Sequence, residues 1–570
     1  MGPDVDLLWR LVVHVALTGL PLAAAMVVAV RRGVRDVPVL LALGLAASGT
    51  SAMLAFWAFW VDPRLGKATA VALVLGSLLA LAVCRPHRLE RPLLARLAVP
   101  LALWALGSTF IVFLGFLHGG TDLPLATASL RFSHQLPGDN EIPGYFAAWF
   151  YDHGHRPMPP PPYGDWLSSD RPPLQMGYVL AQRPFGWDLT GLHYQVLSVV
   201  VQQLWIVATW AVLVAARVRP LGRGLAMVAL MVSDIAIVHG FFVWPKLIAA
   251  ACVLAALAMV LSEDWPRWRR SSPGLALFAA LCALSMLAHG ASAFALVPLV
   301  VFAAVRGLPA WRPLLAAVVA AVALLAPWTA YQTWVDPPGD RLIKWQIGGS
   351  LAIDDRGAVE TVVDSYQAAG WDATLAYKKG NLTGLVHERE ADAAVRTAVD
   401  LVGDGKWRDA IGTLRLPRFF WLLPNLGLLL LGAVAMLVGR VRRKVGEHEW
   451  RFATVSLGLC LAIAAVWALL MFGTPESATL IHQGSLALPL LAIAALVVGA
   501  YAASPGFAIG LTAVNALVVL LLYVPALSPP PGSSYSVLAG VLAAVGLAGF
   551  CWVAVREDPA PGQALIAAEG

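Results

Sequence analysis

The chain is written in long apolar runs separated by short charged turns, with two long polar interruptions. Runs of about 17–25 residues, the length needed to cross the hydrocarbon of a bilayer, fall at 7–30, 38–61, 67–84 and 94–117. After a polar stretch they resume at 192–216, 222–240, 245–262, 273–288, 290–307 and 312–334. A second polar stretch covers 335–415, and further runs lie at 417–439, 451–472, 485–503, 507–526 and 533–555. This pattern predicts an all-α polytopic membrane protein of roughly 15 transmembrane helices. It divides into N-terminal helices (1–117), a first loop (118–191), central helices (192–334), a second loop (335–415) and C-terminal helices (416–570).

Composition fits that picture. The 570 residues are 59% hydrophobic and 13% charged, with mean hydropathy +0.73, whereas soluble domains have roughly 45–50% apolar and about 25% charged residues. The net charge of +6 does not point to nucleic acid, because the arginines gather in short turns. Arg31, Arg32 and Arg35 follow the first run, and Arg85, Arg88, Arg91 and Arg96 the third. Arg217, Arg219 and Arg223 follow the fifth, Arg267, Arg269 and Arg270 the seventh, and Arg306 and Arg312 flank the turn after the ninth. Arg440, Arg442, Arg443 and Lys444 follow the eleventh. If the spans alternate, all these turns share one side, which the positive-inside rule makes cytoplasmic. The N-terminus and both long loops are then extracytoplasmic and the C-terminus cytoplasmic. The acidic opening MGPDVDLLWR lacks a small-residue cleavage site, so the first run reads as a retained span. The five cysteines lie in or at the ends of apolar runs without CxxC spacing, which argues against a disulfide framework or a zinc site. The Ala-, Leu-, Val- and Arg-rich usage suits a high-GC bacterium, whose plasma membrane is the expected location.

Chemistry-bearing residues concentrate on the extracytoplasmic side. Within the first loop the stretch Leu136–Gln175 opens with Asp139, Asn140 and Glu141, and Ile142, Tyr145, Phe146, Trp149 and Phe150 then share one face of a predicted helix. A carboxylate at the water–membrane boundary can take a proton from an attacking hydroxyl. The same residues also suit a helix N-terminus, and both readings stay open. After a proline run comes Asp170-Arg171-Pro172-Pro173-Leu174, where the prolines hold a guanidinium suited to phosphate; a salt bridge of Asp170 with another loop charge is the plainer reading. Lys246, in the turn Trp244-Pro245-Lys246, runs against the charge bias of its side and suits a phosphate or a headgroup. Asp234 lies within the preceding run, where a carboxylate is costly and draws functional interest. His289 and His482 sit at outer ends of spans, as hydrogen-bonding residues or as contacts to a substrate phosphate. Arg341 and Lys344, with Asp340, open the second loop as further phosphate contacts or as a solvated charge cluster. Short helices are expected near 357–369 and 386–402, and Asn381-Leu382-Thr383 matches a glycosylation sequon by composition alone. No His pair has metal-site spacing, and no P-loop or GxGxxG is present.

The order of these features resembles the GT-C superfamily of glycosyltransferases, polytopic enzymes that use polyprenyl-phosphate sugars. The resemblance rests on Asp139-Asn140-Glu141 with Tyr145, and on Arg171-Pro172-Pro173-Leu174. Two departures are visible: Asn140 separates the acidic residues, and roughly three extra spans precede the acidic loop. The resemblance implies a GT-C-like fold and transfer of a sugar from a polyprenyl-phosphate donor to a hydroxyl of a glycan, lipid or protein acceptor of the cell envelope. It makes Asp139 or Glu141 the general base. Arg171, Lys246 and Arg341 or Lys344 would hold the donor phosphate, with Asp170, His289 and His482 beside them. No cofactor is expected from the sequence, which leaves a divalent metal open without supporting one, and the other partner is membrane lipid. The alternatives are an O-antigen-type polymerase or ligase acting on lipid-diphosphate oligosaccharides, and a lipid or solute transporter.

Overall fold

The computed structural model describes residues 2–86, 90–132, 136–156, 158, 166–186, 188, 191–384, 388–415, 423–441, 446–473, 486–526 and 535–556. Each apolar run carries helix, and no strand occurs among the described residues. Four long helices open the chain: α1 (Pro3–Arg31), α2 (Val37–Val61), α3 (Pro63–Cys84) and α4 (Arg91–Gly115). The first loop holds α5 (Pro124–Leu130), α6 (Ile142–His153) and α7 (Leu174–Gln182). The central region runs through α8 (Leu192–Gln202), α9 (Trp205–Ala215), α10 (Pro220–Met231), α11 (Asp234–Phe242) and α12 (Lys246–Leu261). It continues with α13 (Trp265–Trp268), α14 (Ser272–Ala288), α15 (Ala293–Val305) and α16 (Trp311–Trp334). The second loop is helical too, with α17 (Arg341–Gly348), α18 (Ala358–Gly384), α19 (Glu388–Gly403) and α20 (Trp407–Leu414). The last helices are α21 (Leu423–Val441), α22 (Glu447–Leu470), α23 (Ala487–Ala503), α24 (Pro505–Tyr523) and α25 (Val537–Val555).

Among the described residues nine helices, with α8 and α9 counted as one span of 24 residues, are long and apolar enough to cross a membrane. The pair α10 and α11, bent by 54°, makes a tenth. The apolar helices α12, α14, α15 and α23, and the described part of α21, are shorter, at 10–17 residues. Burial explains the shortness of α12. Every residue from Lys246 to Val260 is buried, so this helix is apolar all round because protein, not lipid, surrounds it. At the bend of α10 and α11 the side-chain amide of Asn515 on α24 donates to the Val232 carbonyl at 3.3 Å. That replaces one helical hydrogen bond lost at the break, as a low-dielectric interior requires.

The arginine-rich turns meet at one end of this multi-pass bundle. Arg31 donates to the carbonyls of Cys84 and Arg85 at 2.6 and 3.1 Å. Asp36 accepts from Ser262 and Trp268 at 2.6 and 3.3 Å. Arg217 pairs with Glu263, and Arg219 with Glu449 at 2.7 Å. Arg269 reaches the Leu308 carbonyl at 2.5 Å. These links join the turns after α1, α3, α9, α12 and α15 to the start of α22. Both long loops attach at the opposite end, where α2 stops at Val61 and His155 meets the Val61 carbonyl at 3.2 Å.

In the first loop α6 forms where the apolar spacing predicts it. Ile142, Phe146 and Phe150 are buried, four residues apart on one face, and Phe150 meets Phe56 of α2 edge-on at 5.5 Å. In the second loop α18 and α19 cover both predicted helical segments, with a break in α18 at Gly370 (φ 69°). The sequon asparagine is spoken for: Asn381 is buried, and its amide donates to the carbonyls of Ala468 and Met471 at 3.1 and 2.9 Å.

Helix α7 approaches α2 so closely that only glycine fits at 177, where a Cβ would lie 2.4 Å from the Ala52 carbonyl oxygen. Gly177→Ala must push the two helices apart, and overpacking of this kind costs roughly 1–3 kcal/mol. A Cβ at Gly76, on the outward helix α3, meets nothing within 4 Å, so Gly76→Ala gains up to about 1 kcal/mol of helix propensity. Thermal unfolding in detergent is expected to show a lower midpoint for the first variant and an equal or higher one for the second.

Candidate functional site

The acidic segment enters a 3-10 turn, Gly138–Asn140, directly before α6. Asn140 is fully buried at 0% exposure. Its amide nitrogen donates to the Leu125 carbonyl at 3.1 Å, its amide oxygen accepts from the Ser129 hydroxyl at 3.3 Å, and its backbone carbonyl accepts from the Tyr194 hydroxyl. The residue between the two carboxylates is therefore the anchor of the segment, and its neighbours are carried outward, partly exposed. Glu141 stands at the N-cap of α6 without making a side-chain capping bond, and its charge acts on Tyr194. Asp139 faces Arg171, with Oδ1 to Nη2 at 3.5 Å.

Arg171 follows a second 3-10 turn, Ser168–Asp170, which is fastened to the end of α16. Asp336 accepts from the Ser168 hydroxyl at 2.6 Å and from the Ser169 N–H at 3.1 Å. The Tyr331 hydroxyl bonds Ser168, and the Gln332 amide donates to the Ser169 carbonyl at 2.9 Å. Asp170 is buried; it accepts from the Leu167 N–H at 2.9 Å and faces Arg341 of the second loop at 3.6 Å. Both guanidiniums lie over the Trp166 indole, Arg171 at 4.3 Å and Arg341 at 4.6 Å from its centroid, close enough for cation–π attraction. Burial pushes the Asp170 carboxyl above the usual range, against the Leu167 N–H and the two guanidiniums. Burial also lowers the Arg171 pKa, opposed by Asp139 and Asp170. Arg171 Nε is buried without a hydrogen-bond partner among the described residues, and the buried Nη2 has only the Asp139 carboxylate, at an ion-pair distance of 3.5 Å. A buried cation with donors to spare is suited to an oxyanion.

Lys246 is delivered by a strained turn. Val243 is buried in the left-handed region at φ 58°, which is rare for a β-branched residue and costs on the order of 1–3 kcal/mol. Three glutamines hold this geometry. Gln175 donates to the Val243 carbonyl at 2.9 Å, and Gln195 to the Phe241 carbonyl at 2.6 Å. The Gln202 oxygen accepts from the Leu247 and Ile248 N–H groups at 3.1 Å each, closing the first turn of α12. The buried Lys246 ammonium lies over the Trp244 ring at 4.3 Å and feels the charge of Asp139. His289 meets Trp244 edge-on at 6.1 Å and feels both Lys246 and Arg171. Its Nδ1 accepts from the Ala291 N–H at 3.2 Å, a hydrogen-bonding role that its place at a helix end also suits.

The structure thus gathers Asp139, Arg171, Lys246 and His289 in one electrostatic neighbourhood, with Asp170 and Arg341 beside it. Lys344 is turned elsewhere: its ammonium meets Asp340 and Asp354 at 3.1 Å each. Burial disfavours that ammonium, but the hydrogen bonds to Asp340 and Asp354 outweigh it and hold its pKa above the ordinary value. Asp234 opens α11, its carboxylate accepting from the Ile235 N–H at 2.7 Å. His482 lies outside the described residues. Among the described residues no group of three or more His, Cys, Asp or Glu side chains could hold a metal ion. No protein-family model, curated protein or solved structure matches the chain.

Sequence reasoning missed Asn140 as the anchor, Trp166 as the shared platform, Asp336 and Tyr331 as the staple, and the glutamine triad. A signal existed for the glutamines. Gln195 and Gln202 stand seven residues apart in an apolar run, hence on one helix face, where an amide needs partners. Asp170 and Arg341 are 171 positions apart, and nothing local couples them. Because both side chains are buried, at 0% and 5% exposure, Arg341→Gln leaves a stranded carboxylate, and breaking such a pair costs roughly 3–5 kcal/mol. Adding Asp170→Asn to that variant removes the stranded charge. A double-mutant cycle read by thermal unfolding is expected to return at least half of the loss; strictly additive losses would show that the two do not interact.

Proposed function

We propose that the protein is a membrane glycosyltransferase of GT-C type, moving a sugar from a polyprenyl-phosphate donor to an acceptor hydroxyl at the extracytoplasmic face of a bacterial plasma membrane. On this reading the arginine-rich end is cytoplasmic and the shorter apolar helices also cross, giving roughly 15 spans. The observation that carries the reading is the contact of Asp139 with Arg171 at 3.5 Å, with Lys246 feeling the same carboxylate. An acceptor hydroxyl, an anomeric carbon and a departing phosphate need a base and cations within one small space, and these three residues supply them.

Asp139 is the better base of the two carboxylates, because it shares that space with both cations whereas Glu141 sits toward Tyr194. Asp139 takes the proton of the acceptor hydroxyl as its oxygen attacks the anomeric carbon. The carbon–phosphate-oxygen bond breaks, and polyprenyl phosphate leaves with the electron pair. Arg171 and Lys246 offset the charge that grows on it. Trp166, Trp244 and His289 close the space against water and strengthen those interactions.

Purified protein is to be assayed for transfer from a polyprenyl-phosphate sugar to a lipid-linked glycan acceptor. Asp139→Asn is expected to reduce turnover at least about 100-fold, and Arg171→Lys to reduce turnover more than acceptor binding. Both variants should keep the unfolding temperature of the parent to within a few degrees. Undiminished transfer by Asp139→Asn removes the base assignment, and undiminished transfer by both removes the site.

A further inference from the structure

A second cationic cluster lies at the same end of the bundle, and nothing in the proposed chemistry uses it. It joins His118, in the turn after α4, with Arg131, after α5, and Arg415, after α20. The two arginines are 6% and 1% exposed. Their forks close on backbone carbonyls. Arg131 donates to Pro525 at 3.2 Å, Val524 at 2.9 Å and Leu114 at 3.3 Å. Arg415 donates to Leu522 at 2.6 Å, to the Arg131 carbonyl at 3.4 Å and to Pro525. Leu114 and Leu522 to Pro525 lie at the C-terminal ends of α4 and α24.

Charge does not balance there. A helix C-terminus carries about −0.5 of an elementary charge, so two such ends leave about one positive charge of the two guanidiniums uncompensated. Arg131 and Arg415 both act on His118, Arg415 acts on Arg131, and Tyr523 is the group that acts on Arg415. No carboxylate is among these groups; a carboxylate linked to them indirectly is Asp4, which accepts from the Ser536 hydroxyl while the Ser536 N–H donates to the Leu117 carbonyl beside His118. Burial, helped by Arg415, lowers the Arg131 pKa to about 9. Burial, opposed by Tyr523, lowers that of Arg415 to about 10. Both therefore stay charged at neutral pH. Burial and then the two guanidiniums push the His118 imidazole down to about 4. Two polar atoms, Arg131 Nε and His118 Nδ1, are buried without a hydrogen-bond partner among the described residues. Such orphans are uncommon and costly, and an anion can accept from both.

The surroundings suit a ligand that comes from the bilayer. The exposed Tyr535 ring meets His118 edge-on at 5.7 Å. Below it, α24 and α25 turn Leu517, Leu521, Val537 and Val541 outward, 52–71% exposed. We propose that His118, Arg131 and Arg415 form a binding site for a singly charged phosphate group at the rim of α4, α24 and α25. A phosphodiester headgroup and free phosphate share that chemistry. The site stands independently of the glycosyltransferase reading.

The test uses the full chain in a neutral detergent, with thermal unfolding followed against inorganic phosphate and, separately, against short-chain phosphatidylglycerol. One or both should raise the unfolding temperature saturably. His118→Ala leaves the arginine–carbonyl clamps intact and should weaken that effect about tenfold, the worth of one hydrogen bond to a charged group. A response to phosphatidylglycerol alone assigns a lipid headgroup; a response to both assigns phosphate itself. No response to either, or an equal response in His118→Ala, overturns the site. A second readout is the carbon NMR signal of His118, identified by its loss in His118→Ala. An anion favours the imidazolium, so the titration near about 4 should move toward neutrality when the stabilising probe is added. A titration that stays in place overturns the site as well.

Discussion

Two ion pairs, one buried and one partly exposed, and the indole between them tie the polar end of this bundle together. Asp139 with Arg171, and Asp170 with Arg341, are linked through Trp166, which both guanidiniums cover. One pair joins two segments of the first loop; the other joins the first loop to the second. Guanidiniums leave water only where carboxylates, carbonyls or aromatic faces replace it. Arg171 therefore has few places to go, and its position fixes that of the Asp139 carboxylate.

Around that ladder the protein spends amides rather than charges. Asn140 anchors the acidic turn, and Gln175, Gln195 and Gln202 hold the strained Val243 turn that presents Lys246. Neutral amides donate and accept without the desolvation cost of an ion. They suit a place inside a helical bundle where geometry must be rigid. Each lies on a short helical segment of the first loop or on α8, and they face the first loop and the Val243 turn beside the bent pair α10–α11, so the irregular backbone and the candidate chemistry coincide.

Much of this was legible in the sequence, for reasons that differ by level. Helices were readable because each apolar run must satisfy its own backbone in lipid, and the Arg-rich turns sorted themselves to one end through a single electrostatic bias. The face of α6 was readable from the spacing of Ile142, Phe146 and Phe150. Crossing number was less so, because α12 is short and wholly enclosed, which hydropathy does not distinguish from a span facing lipid. Asp139, Arg171 and Lys246 stood out because each is a charge where charge is expensive. Their partners did not: Asp336, Tyr331 and Trp166 are ordinary residues whose role exists only once α16 is brought against the first loop. Lys344 looked like Arg341 in the sequence, three residues apart, yet Asp354 draws it into the second loop.

The most direct measurement is an experimental density map of the protein in lipid nanodiscs with a polyprenyl phosphate bound. The account places the phosphate in contact with both Arg171 and Lys246, with Asp139 close enough to reach an attacking hydroxyl. A phosphate lodged elsewhere, with Arg171 still closed on Asp139 and Lys246 still covered by Trp244, would contradict it.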